Sequence, residues 1–124
     1  MIDFKNATFS KLKTVPESDF SDMIRPLLID GESTLQTFRG IRDGIVFTNK
    51  RIIAINVQGL TGKKKDFTSL PYSKIQAFSV ETAGVFDLDA ELDLWFSGLG
   101  KARFEFSGSV DVSKICKSIS GFIL

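Results

Sequence analysis

Histidine is absent from all 124 residues. Imidazole is the side chain most used for proton transfer near neutral pH and for metal ligation. Its absence excludes Ser-His-Asp and Cys-His nucleophile activation. Cysteine is nearly absent as well: the single thiol, Cys116, can form neither an intrachain disulfide nor a cysteine-rich zinc cluster. The expected compartment is therefore reducing and cytoplasmic. No apolar run approaches the ~20 residues that span a bilayer. The start of the chain, Met1 to Asn6, lacks the basic-then-apolar pattern of a secretory signal. Charge of one sign is missing too. Sixteen Lys and Arg against 15 Asp and Glu leave a formal net charge of +1, so no overall field draws the domain onto nucleic acid.

Trp and Tyr occur once each, whereas Phe occurs 12 times. Phe has no polar handle, so this choice favours a dry core. A hydrophobic fraction of 43% and a charged fraction of 25% are ordinary for a soluble globular domain. A chain of this length buries roughly two-thirds of its unfolded surface and needs no staples.

Residues 1 to 15 show no sustained period. Pro16-Glu17-Ser18-Asp19 reads as a helix start, because proline suits a first turn and acidic residues complement its dipole. Phe20, Met23, Ile24 and Leu27 follow at helical spacing. Pro26 removes one backbone bond and pushes Arg25 out of helical geometry, which predicts a kink or stop there. Residues 1–31 are thus expected to be a short helical extension, and residues 32–124 the main domain.

From residue 33 the period becomes two. Strands are predicted over 33–39, 45–48, 51–57, 63–70 and 74–82. Asp43-Gly44 and Asn49-Lys50 are read as tight turns that use left-handed backbone. A change of parity near Ala77-Phe78 predicts a bulge. The clearest pattern follows. Leu88, Ala90, Leu92, Leu94 and Phe96 alternate with charged residues and Trp95; Ala102, Phe104 and Phe106 then alternate with Lys101, Arg103 and Glu105. One face of that hairpin is buried and the other looks outward. Ser109 or Asp111 can cap a last helix whose stripe is Val112, Ile115, Cys116, Ile119, Phe122 and Ile123. The fold class is mainly β: seven antiparallel strands closed by a C-terminal helix.

Several segments carry a closer likeness. Arg42-Asp43, Thr48-Asn49-Lys50-Arg51, Gln58 to Lys64, Pro71-Tyr72-Ser73-Lys74-Ile75 and Val80 to Asp89 resemble the bacterial pleckstrin-homology family, over about Glu32 to Phe106. The resemblance implies a pleckstrin-homology barrel and assembly into ring-shaped homo-oligomers. It implies no catalytic residues and no cofactor. Eukaryotic relatives often bind phosphoinositides through basic residues in the loop between the first two strands. Here that loop, Gly40 to Gly44, is short and carries one Arg beside an Asp.

The residues then sort into two candidate sites. Arg51, Lys63 and Lys65 are the candidate anion-binding set for a lipid headgroup or phosphate-containing ligand, against the plainer reading of lysines that keep an edge strand from pairing with other chains. Trp95, Phe86, Asp89 and Glu91 are the candidate interface for self-association. Trp95 is either covered by Arg103 in a cation–π contact or buried between subunits. Asp87, Asp89, Glu91 and Asp93 share one face, but a straight strand spreads alternate carboxylates ~6–7 Å apart, so the preferred reading is that no metal is bound. The expected function is a non-catalytic scaffold or interaction module whose partner is itself or another protein; the alternative is a peripheral binder of anionic lipid or phosphate. Nucleic acid is not an expected partner, and membrane contact is the less favoured one.

Overall fold

Period-two alternation from residue 34 onward produces the strands the sequence predicts, and a further strand precedes them. The computed structural model describes every residue except 6, 7, 83–88 and 109, and only the backbone of residues 8 and 112. The strands are β1 (Thr8–Thr14), β2 (Thr34–Arg39), β3 (Gly44–Thr48), β4 (Arg51–Gln58), β5 (Lys64–Pro71), β6 (Ile75–Thr82), β7 (Ala90–Phe96) and β8 (Gly100–Phe106). They form one sheet in the order β5-β4-β3-β2-β1-β8-β7-β6.

The expectation of seven antiparallel strands needs two corrections. Among the described residues there are eight, and β1 runs parallel to β8 while running antiparallel to β2. β1 is the seam between the two antiparallel halves. Its first part pairs with β8 (Phe9 opposite Phe104) and its last part with β2 (Lys13 opposite Arg39). The register slips between Phe9 and Leu12, where Lys11 takes φ 56°. That bulge breaks the alternation, which is why residues 1 to 15 look irregular in sequence. The first 31 residues therefore contribute a sheet strand as well as helical turns, and Ile2, Phe4, Phe9 and Leu12 sit in the main core.

Both halves feed that core. Phe38, Phe47, Ile52 and Leu70 meet Leu92, Leu94, Phe104 and Phe106 from the other side. Edge-to-face ring pairs such as Phe38–Phe106, with centroids 4.9 Å apart, fill it. The sheet thus wraps into an incompletely closed barrel whose unpaired ends are β5 and β6. The C-terminal helix α2 (Val112–Ile123) packs there, against β6 and the 3₁₀ turn Tyr72–Lys74. Asp111 caps it, its carboxylate accepting the Lys114 N–H at 3.1 Å, while Ser109 lies outside the described residues. Ile115 and Ile119 are buried, and Phe122 stacks on Tyr72 at 4.7 Å.

A second core lies on the outer face of β3 and β4. Helical turns at Glu17–Asp19, α1 (Ser21–Ile24) and Arg25–Leu27 place Phe20 and Ile24 over Val46, Ile53 and Ile55. The α-helix gives way at Pro26 as expected, although Arg25 keeps helical angles. Gly44 is glycine for room rather than for left-handed backbone: a Cβ there would lie 2.3 Å from the Phe20 ring. Asn49 likewise has no positive φ. Its side chain accepts the Ser33 N–H at 2.8 Å and donates to the Gly31 carbonyl at 2.9 Å. The bulge in β6 is present, between Ile75 and Ala77.

Candidate functional site

The predicted anion-binding set does not come together. Arg51 pairs with Pro71 at one end of β4, whereas Val57 and Gln58 at the other end pair with Lys65 and Lys64. At ~3.3 Å per residue the two ends lie roughly 20 Å apart. Lys63, Lys64 and Lys65 are exposed, and the last two stand on an end strand of the sheet, where lysine discourages pairing with another chain.

Arg51 is instead fully engaged within the chain. Its Nε and Nη2 each donate to the Glu32 carboxylate at 2.9 Å, Nη1 donates to Ser69 Oγ at 2.9 Å, and Nη2 also donates to the Leu27 carbonyl at 2.6 Å. The Glu32 side chain is 0% exposed. It also accepts from Thr48 Oγ1 at 2.7 Å and from the Ile29 N–H at 3.1 Å. Burial pushes the Glu32 carboxyl up, but the hydrogen bonds from Arg51, Thr48 and Ile29 together outweigh it and hold the group below its ordinary range. Tyr72 joins the network by donating to the Thr48 carbonyl at 2.7 Å, and burial together with the nearby Glu32 charge raises its phenol pKa.

Other turn residues likewise act as clamps between turns. Arg42 Nη1 donates to the Gly59 carbonyl at 2.7 Å, and Asp43 Oδ1 accepts the Val57 N–H at 2.8 Å. Arg42, the one Arg of the loop that joins β2 to β3, is therefore occupied holding the next turn.

The outer face of β6, β7 and β8 differs. Three cross-strand rows run over it: Ala77–Trp95–Lys101, Ser79–Asp93–Arg103 and Glu81–Glu91–Glu105. Asp93 is only 9% exposed, with Arg103 donating to both carboxylate oxygens at 2.9 and 3.1 Å. Those hydrogen bonds, against a smaller effect of burial, hold its carboxyl below the usual range. Arg103 Nη1 also lies 3.6 Å from Glu91. Arg103 is thereby committed to carboxylates, and the residue over the Trp95 ring is Lys101, its Nζ 5.9 Å from the centroid. Trp95 remains 37% exposed. Asp89 precedes β7 and is exposed, Glu91 is half-buried, and Phe86 falls outside the described residues. Cys116 is half-buried on α2, where burial pushes its thiol up, away from the reactive thiolate.

Among the described residues, no three His, Cys, Asp or Glu side chains are grouped to hold a metal ion. No helix among them is long and apolar enough to cross a membrane. A grouping the sequence does not announce lies beside β1, where Lys11, Lys13 and Arg39 line one concavity of about 470 Å³. Arg39 is distant in sequence from Lys11 and Lys13 and is brought beside them by the pairing of β1 with β2.

The chain is similar to the uncharacterized protein YjqA of Bacillus subtilis, with 44% identity over 95 residues, covering 77% of this chain and 76% of that protein. Among solved structures it is similar to a DUF1696 family protein with a pleckstrin-homology domain from Shewanella loihica, at 43% identity and TM-score 0.81, covering 93% of this chain and 99% of that one. A pleckstrin homology domain from Shewanella amazonensis is similar at 42% identity and TM-score 0.68, covering 89% and 90%. The profile of the family described as "Bacterial PH domain" matches residues 3–123. With the strand order, the terminal helix and the turn clamps all in place, this chain belongs to the bacterial PH domain family.

Proposed function

We propose that the domain is a non-catalytic interaction module of a reducing compartment that self-associates into a homo-oligomer, a closed ring, through the outer face of β6–β8. The observation that carries this reading is Trp95, 37% exposed on the outer face of that sheet. Trp is among the residues most enriched at the centres of protein interfaces. The rows beside it pass from the Asp93–Arg103 pair to three glutamates, an uneven spread of charge suited to fixing the orientation of a partner copy. A closed ring uses the same two surfaces on every copy, and closure removes the unpaired ends that an open array would leave.

Light scattering behind a sizing column tests the proposal. The wild type is expected to elute as a multimer, and Trp95→Glu as a monomer of unchanged fold. Because Trp95 is the sole tryptophan, its emission is expected to shift to the blue on association. A wild type that stays monomeric at about tens of micromolar, a Kd weaker than ~7 kcal/mol of association, overturns it.

A further inference from the structure

We propose that the free edge of β6 is a docking site for an extended segment of a partner protein, one that alternates basic and apolar residues and joins the sheet as a further strand. The site uses the edge of β6 rather than the outer face of β6–β8, so it does not depend on the self-association proposed above.

The two ends of the sheet are built differently. β5, at one end, carries Lys64, Lys65 and Pro71. Lysine and proline keep an edge from pairing with another chain. β6, at the other end, reads Ile75-Gln76-Ala77-Phe78-Ser79-Val80-Glu81-Thr82, without lysine, arginine or proline. A bulge also blunts an edge, but that of β6 lies at its start, between Ile75 and Ala77. Over residues 77–82 the pairing with β7 is regular. Backbone groups of a strand point alternately to its two sides. On the side away from β7, no backbone group of residues 77–82 has a hydrogen-bond partner among the described residues. An edge of this kind is a template for a new strand.

The side chains define the chemistry of the occupant. Successive residues of a strand point to opposite faces. Phe78 and Val80 pack on the main core yet stay only half-buried. Residues of an added strand on that side meet apolar surface and should themselves be apolar. Glu81 points to the other face and begins the row Glu81–Glu91–Glu105. Like charges directly opposite each other destabilise a sheet. Arg103 reaches Glu91, at 3.6 Å, whereas Glu81 and Glu105 form no ion pair among the described residues. An added strand lies about 4.8 Å from β6, so a Lys or Arg on its outward side reaches Glu81 and relieves the row.

A second copy of the chain does not supply this pattern. Its β6 brings another glutamate. Its β5 has Lys64 and Lys65 side by side, so a register that brings one of them to Glu81 turns the other toward Phe78 and Val80. The segment therefore belongs to a different protein.

The test is fluorescence anisotropy of the full chain with a labelled peptide, Lys-Val-Lys-Val-Lys-Val-Lys, followed by hydrogen exchange of the complex. The peptide is expected to bind and to slow exchange at residues 77–82 but not at residues 64–71. Glutamate in place of its lysines is expected to weaken binding by about tenfold or more, as is Glu81→Lys in the domain. Lys65→Glu, on the opposite end strand, should leave binding unchanged. Alternate N–H groups of a strand point to one side, so N-methylation of one set, the valines or the lysines, should abolish binding while methylation of the other set is tolerated. Binding that survives both methylations, protection that falls outside β6, or a Glu81→Lys domain that binds like the wild type overturns the proposal. So does a peptide that fails to bind at about millimolar concentration. Protection of residues 77–82 that is present without peptide and is lost on dilution assigns the edge to a second copy, and overturns it too. A wild type that proves monomeric overturns the ring but leaves these readouts in place.

Discussion

The two halves of the sheet treat their outer faces differently. β3 is buried along its whole length and β4 over half of its own, because Phe20 and Ile24 cover Val46, Ile53 and Ile55 from outside. β8 alternates between buried and half-exposed residues, and β7 leaves Trp95 exposed. One half therefore uses both faces for stability; the other uses one face for stability and leaves the second for contact. The charges follow the same division. Glu32 and Arg51 are turned inward and saturated, whereas Glu91, Glu105 and Lys101 are spread over a surface.

The comparison predicts where substitutions act. Phe20→Ala should empty the second core and cost about 3–5 kcal/mol, read as a lowered urea midpoint. If the cost stays below about 1 kcal/mol, the helical cover contributes little and the contrast between the halves fails. Arg51→Met should cost about 2–4 kcal/mol by leaving the Glu32 carboxylate buried without its partner.

The pH dependence should be shared between the halves. Glu32 and Asp93 both have carboxyls lowered in the folded state. The unfolded chain then binds more protons as acid is added, so the stability they supply is fully present above about pH 5 and is lost as pH falls through the lowered native values. Urea midpoints measured from neutral pH down to about pH 3 should fall, and should fall less steeply in Arg51→Met. A midpoint that is flat over that range contradicts both assignments. The smallest effect belongs to the open face. Trp95→Ala should change monomer stability by only about 0.5 kcal/mol, while changing association strongly.

Much of the fold was legible because it rests on local rules. Leu92, Leu94, Phe104 and Phe106 turned inward as their alternation required, and Asp111 capped the last helix at the place its side chain suggested. The run Ile45-Val46-Phe47 also held a signal that went unused: three consecutive apolar residues in a strand imply burial on both faces. Other features had no local signature. β1 draws its partners from β2 and β8, far along the chain, and its bulge hides its period. The charge of Arg51 marked it for a ligand, yet the carboxylate that takes it lies across a turn, at Glu32.

The amino-acid order alone determined which residues face inward, where the chain turns and how it ends, since side-chain direction along a strand or helix follows from backbone geometry within a few residues. The folded structure decided the rest: that the first strand joins the two halves, that Arg51 is consumed by Glu32, and that Lys11, Lys13 and Arg39 share one concavity. Those outcomes depend on which distant segments hydrogen-bond side by side, and such pairing leaves no period in the sequence that specifies it.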